Sequence, residues 1–158
     1  MIIQFEEKKD CCACTACMNI CPTQAIAMKL DADGFIFPKI DNDTCIECGK
    51  CLKVCAYQNT PVSGYEPLAT YVAINKSKDV LSQSASGGIF TALANLVFEK
   101  NGVVFGCAYN DKMEPKHIGV DNLTDMKKIQ GSKYVQSDIN TTYSQVENYL
   151  NEGRWALF

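Results

Sequence analysis

Cys11-Cys12-Ala13-Cys14-Thr15-Ala16-Cys17-Met18-Asn19-Ile20-Cys21-Pro22 and Cys45-Ile46-Glu47-Cys48-Gly49-Lys50-Cys51-Leu52-Lys53-Val54-Cys55 decide how this chain is read. Both follow C-x2-C-x2-C-x3-C, and the second run repeats the first at a displacement of 34 residues. Cysteines that fall in register over two runs make chance a poor explanation. The spacing is that of a bacterial 4Fe-4S binder. Residues at i, i+3 and i+6 wrap one cube from a single loop. The fourth cysteine lies beyond that reach and ligates the other cube. The expected ligand sets are therefore Cys11, Cys14, Cys17 and Cys55 for one cluster, with Cys45, Cys48, Cys51 and Cys21 for the other. Crossed ligation makes the metal part of the core of a domain over residues 1–57.

Competing uses of the cysteines are weaker. Disulfides are opposed by an amino terminus without a secretory pattern, by the metal-like spacings, and by the crowding of thiols into residues 11–55. A reducing cytoplasm is the expected compartment. Zinc sites also use C-x2-C, but rarely three such steps with a further cysteine, twice. Cys12 breaks no spacing and reads as a bystander. Cys107, in an apolar stretch, reads as a small buried hydrophobe. A nucleophile pair of Cys107 with His117, the only histidine, has no support in the spacing. Around the runs, Ala13, Ala16 and Gly49 let backbone N–H groups approach sulfur, and Ile20, Ile46 and Val54 are expected to exclude water.

The 158 residues suffice for one ordinary domain or two small ones, and 47% apolar residues allow a core. A net charge of −3 with scattered Lys and Arg argues against a nucleic-acid partner. No apolar run reaches the length of a membrane span.

Outward from the runs, Met1–Phe5 reads as an edge strand. Residues 24–30 and 35–40 read as two strands joined by a turn at Asp33-Gly34. Residues 58–67, with Asn59, Pro61, Ser63, Gly64 and Pro67, read as a linker. From residue 68 to 158 helices and strands alternate, which predicts an α/β domain and makes the whole chain α+β in class. Strands are expected at 71–74, 103–109, 116–120 and 155–158. Helices are expected at 89–98, with Ile89, Leu93, Leu96 and Val97 on the buried face, at 124–130, capped by Asn122 or Thr124, and at 141–151, with Val146 and Leu150 inward. The last strand ends without the following loop on which open α/β sheets place their ligands. The chain is therefore expected to be an amino-terminal part of a longer protein.

Ser84-Ala85-Ser86-Gly87-Gly88 stands at a helix start, where free N–H groups suit a phosphate. On motif alone a simple glycine turn explains it equally well. Gly131-Ser132-Lys133-Tyr134 is a second small-residue turn, carrying a cation.

Ser84 to Phe90, Val103 to Tyr109 and Gln130 to Ser137 together resemble the family of coenzyme F-420 hydrogenase/dehydrogenase beta subunits, and the cysteine runs match its ferredoxin-bearing members. The resemblance implies an iron–sulfur flavoprotein oxidoreductase. Electrons would pass from a redox donor protein through two 4Fe-4S clusters to FAD, and on to a hydride acceptor such as a deazaflavin. It also implies Ser86, Gly87, Gly88, Ser132 and Lys133 as flavin-binding residues. The competing reading is a non-catalytic ferredoxin-type carrier with an appended docking domain.

Overall fold

The two cysteine runs fold into copies of one backbone path. In a computed structural model describing residues 8–58 and 66–158, Ala13 and Glu47 take φ of 54° and 50°, and Thr15 and Gly49 take 62° and 72°. These pairs are one displacement of the repeat apart. A short helix follows each bend: α1 (Ala16–Asn19) and α2 (Lys50–Val54). Helices this short do not persist alone, so packing against each other and against the hairpin between them holds them.

That hairpin is β1 (Ile26–Leu30) paired antiparallel with β2 (Ile36–Ile40), in register from Ile26↔Ile40 to Leu30↔Ile36. Its turn is closed by the Asp31 carboxylate, which accepts from the N–H groups of Asp33 (3.0 Å) and Phe35 (2.9 Å). Gly34, at φ 86°, supplies the left-handed step. Ile26 packs inward on Cys17, Cys51 and Cys55, with Met18, Cys21 and Ile40 around them. These elements lie in the first of two units, Met1–Glu66, and the second is Pro67–Phe158. The edge strand expected at 1–5, and residues 59–65 of the expected linker, fall outside the described residues.

The second unit opens with α3 (Lys78–Ser82), whose Ser77 cap accepts from the Val80 N–H. Then come α4 (Ile89–Glu99), β3 (Val103–Tyr109), β4 (Pro115–Val120), α5 (Leu123–Ile129), α6 (Thr142–Asn151) and β5 (Ala156–Leu157). The sheet runs β4-β3-β5, with β3 antiparallel to β4 and parallel to β5. Central β3 buries Val103, Val104, Phe105 and Ala108. Ala94 and Val97 of α4 and Met126 and Ile129 of α5 complete the core. Helix α4 ends in a double-bonded C-cap: Asn101 N–H donates to the Phe98 carbonyl and Gly102 N–H to that of Val97, at 2.9 and 2.8 Å. A Cβ on Gly102 would meet the Trp155 carbonyl oxygen at 2.8 Å, so only glycine fits there. Asn122 is the cap of α5, accepting from the Asp125 N–H.

Three expectations need correction. Residues 71–74 form no strand; the nearest ladder-like contact is the Asn75 N–H donating to the Gly87 carbonyl at 2.7 Å, and Val72 is fully exposed. The inward face of α4 is Thr91, Ala94 and Val97, while Ile89, Leu93 and Leu96 face out. This helix is apolar nearly all round, so small Ala94 decides the contact by letting the helix approach β3 closely. On α6, Thr142 is buried and Leu150 is exposed.

Candidate metal centres and the cavity of the second unit

Two cavities of nearly equal size lie in the first unit. The first spans about 310 Å³, part of it open to solvent, and is lined by Cys11, Cys14, Cys17 and Cys55, with Met28 and Tyr57. The second spans about 330 Å³, again partly open, and is lined by Cys21, Cys45, Cys48 and Cys51, with Ile26, Ile40 and Ile46. The fold thus brings the fourth cysteine of each run to the cavity of the other run. α1 swings Cys21 away from its own loop, and α2 does the same for Cys55. Near-equal volumes suit two copies of one group.

The donor set fits a cluster better than a single ion. Four thiolates on one zinc stand about 2.3 Å from it. Among the described residues, no three His, Cys, Asp or Glu groups converge in that way. Thiols standing around a void fit a group with a volume of its own.

Electrostatics agree with a cationic occupant. Burial pushes the Cys17 thiol up to about 11, against the opposing effect of the Met18 N–H. Burial also raises Cys11 and Cys14, while the N–H groups of Ala13 and Ala16 face those sulfurs and lower them. Thiolates in such places need positive charge beside them. Cys21 is half-buried at the surface. Burial raises its thiol, but the Thr23 hydroxyl and the N–H groups of Ala25, Thr23 and Gln24 outweigh that and lower it. The Ala25 N–H lies 3.3 Å from the Cys21 sulfur.

The backbone accepts strain to build these loops. Thr15 is β-branched and left-handed, an uncommon combination, where the second run uses Gly49. Asn19 holds it there, donating from Nδ2 to the Thr15 carbonyl (3.0 Å) and hydroxyl (3.1 Å). Successive N–H groups in such bends point at one place, a concavity suited to anionic sulfur.

Water exclusion falls only in part to the residues expected. Ile46 lines the second void, though much of it stays exposed; Ile20 and Val54 are exposed and line neither. Met28, Ile26 and Ile40 also line the voids, carried in by the hairpin rather than by the runs. Spacing within a run has no signal for them. Cys12 is exposed at the rim of the first cavity, in hydrogen-bonding contact with Cys14 and Tyr57.

Residues 10–59 match the 4Fe-4S dicluster domain. The first unit is therefore a ferredoxin-like iron–sulfur domain, and electron transfer is its role. Across a wider span, one of the subunits of the F(420)H(2) dehydrogenase of Methanosarcina mazei is 24% identical over 138 residues, covering 82% of this chain and 40% of that protein. The chain thus spans less than half the length of this curated relative. No helix among the described residues is long and apolar enough to cross a membrane.

In the second unit, Ser86, Gly87, Gly88 and Ser132 come together on one open cavity of about 870 Å³ between the start of α4 and the end of α5. Lys133 stands apart from it. Its ammonium donates to the carbonyls of Lys128 (3.1 Å) and Gln130 (2.9 Å), closing the carboxyl end of α5. Gly87 is required: a Cβ there would stand 2.5 Å from the Ala73 carbonyl oxygen. Cys107 is half-buried and lies directly across β3–β4 from His117. The imidazole Nδ1 nevertheless pairs with the Ser137 hydroxyl at 2.7 Å, and the ring stacks on Phe158.

Proposed function

We propose that this chain is the electron-input part of an iron–sulfur flavoprotein oxidoreductase, in the family of coenzyme F-420 hydrogenase/dehydrogenase beta subunits. In this reading Cys11, Cys14, Cys17 and Cys55 hold one 4Fe-4S cluster, and Cys21, Cys45, Cys48 and Cys51 hold the other. The observation that carries it is the pair of like-sized cavities, each with four cysteines and each completed by a cysteine of the other run. Similarity to a component of an F(420)H(2) dehydrogenase supports the hydride-transfer half of the reading, with FAD in the α4–α5 cavity and a deazaflavin as the class of acceptor.

Bound clusters supply one-electron steps, and a flavin supplies the exchange between single electrons and a hydride. The chain's own residues set the conditions. N–H groups of Ala13, Ala16, Met18 and Ala25 stabilise sulfur-centred negative charge. Met28, Ile26 and Ile40 keep water off the cavities. Ser86 and Ser132 offer hydroxyls to a ligand between α4 and α5. The donor is a redox partner protein, met in a reducing cytoplasm.

The test is cofactor analysis on anaerobically purified protein reconstituted with FAD. About eight irons per chain are expected from two four-iron cubes. One flavin per chain, released on denaturation and read by fluorescence, is expected beside them. Full iron with no retained flavin overturns the flavoprotein reading and leaves a ferredoxin-type carrier.

A further inference from the structure

We propose that the amino end of α4 is a phosphate-binding site, in which the Thr91 hydroxyl and the first-turn N–H groups of the helix take the oxygens of a phosphate group. The helix is 11 residues long and begins after Gly88, at φ 73°, with no side chain capping its first turn. Its amino end therefore carries unspent donors and the positive end of the helix dipole.

Thr91, in that first turn, is the independent observation. It is 7% exposed, it lines the cavity, and among the described residues its Oγ1 is a buried side-chain oxygen without a hydrogen-bond partner. Buried hydroxyls are rarely left so, because the lost water is not replaced. Its place in the first turn and on the cavity wall sets it beside the uncapped N–H groups of the helix.

The surroundings select an anion. The Gly87 carbonyl accepts from the Asn75 N–H (2.7 Å) and the Gly88 carbonyl from Asn75 Nδ2 (3.3 Å), so these acceptors are drawn toward Asn75. Among the described residues, no Asp or Glu lines the cavity. The Ser84 hydroxyl is spent on the Val80 carbonyl, and Ser86 and Ser132 bring exposed hydroxyls to the rim. Ile89 and Phe90 are exposed apolar neighbours, suited to an organic group attached to the phosphate. Inorganic phosphate and the phosphate of a nucleotide or flavin share this chemistry. The flavin source rests on the flavoprotein reading proposed above; the phosphate site itself does not.

The experiment titrates the full chain, with clusters intact, with inorganic phosphate, FMN, FAD and riboflavin, by calorimetry and by ligand-induced change in melting temperature. Phosphate is expected to bind, and FMN and FAD to bind more tightly than riboflavin. Thr91→Val keeps the shape and removes the hydroxyl. It should weaken the phosphate-bearing ligands about tenfold, leave riboflavin unchanged, and raise the melting temperature of the ligand-free chain. Thr91→Ser should restore binding. A merely structural threonine would not move stability and affinity in opposite directions. If Thr91→Val binds phosphate, FMN and FAD as the wild type does, or if phosphate fails to bind and riboflavin matches FMN, the proposal is overturned. If phosphate binds with Thr91 dependence while FMN and FAD gain nothing over it, the site stands and the flavin reading falls.

Discussion

The two units bury different things. In the first, three of the four residues of the core cluster are the thiols Cys17, Cys51 and Cys55, and Ile26 is the fourth. In the second, the cluster is Ala94, Val97, Val104, Ala108, Val120, Met126 and Ile129. One interior is a set of thiols around voids, and the other is packed hydrocarbon. A cofactor-cored unit exchanges independent stability for a site whose geometry is enforced by its occupant. A hydrocarbon-cored unit keeps its shape without one and can leave a cavity open at its edge. Loss of metal and loss of packing should therefore strike opposite halves of the chain.

The largest effect is expected at the cysteine that crosses between runs. Cys55→Ala should remove the cluster of the first cavity and spare that of the second, taking iron from about eight to about four per chain. Iron and sulfide analysis with electron paramagnetic resonance reads the outcome. Loss of the second cluster alone would sink the crossed ligation. Stripping all iron with a chelator should abolish amide-exchange protection across Ile26–Ile40 while Val103–Val120 keeps its own. Equal loss in both segments would erase the contrast between the units.

The converse change is Met126→Ala. Met126 is buried in the hydrocarbon core, and truncations of this kind cost about 2–5 kcal/mol. Denaturant melts followed by circular dichroism should show that loss, while the visible cluster absorbance at low denaturant stays as in the wild type. Cluster loss in this variant would mean that the first unit leans on the second for its fold.

Much of the first unit can be read in its letters because ligand spacing is a local code. C-x2-C-x2-C dictates a wrapping loop, and Asp31 to Gly34 dictates a hairpin turn whose bonds lie within five residues. The crossing of Cys21 and Cys55 follows from the reach of a single loop. Of what lines the cavities, Ile46 is legible inside its run, but Met28 and Ile40 are not, because they arrive from strands outside the runs. In the second unit, Asn122, one of the two caps expected for α5, is the cap observed, and it is legible because its partner is three residues away. The buried face of α4 does not, since Ile89, Phe90, Leu93 and Leu96 on one side rival Ala94, Val97 and Phe98 on the other. Hydrophobic periodicity selects a face only when the opposite face is polar. Tyr71–Ile74 has strand-like letters but lacks a ladder partner among the described residues, and pairing is a tertiary fact. The left-handed Thr15 and the orphaned Thr91 hydroxyl have no sequence signal, being local costs that only the assembled site explains.

The smallest effect concerns a proton in the hydrocarbon-cored unit. His117 is the only histidine, half-buried between Phe158 and the Ser137 hydroxyl. Burial lowers its pKa below the ordinary value of about 6.5, and the Asp138 carboxylate opposes that only in part. The folded chain therefore binds this proton less readily than the unfolded chain. Its contribution to stability is whole above about pH 6.5 and is lost as pH falls through the lower folded value. Solvent screens a half-buried ring, so the slope should be shallow. The imidazole C2–H resonance belongs to one residue and should titrate with a midpoint below about 6.5. His117→Gln should flatten the acid limb of the second unit's melting curve. A midpoint at or above the ordinary value would mean that Asp138 governs the ring and burial does not. The hydrocarbon-cored unit would then be wetter around β4 than its packing implies.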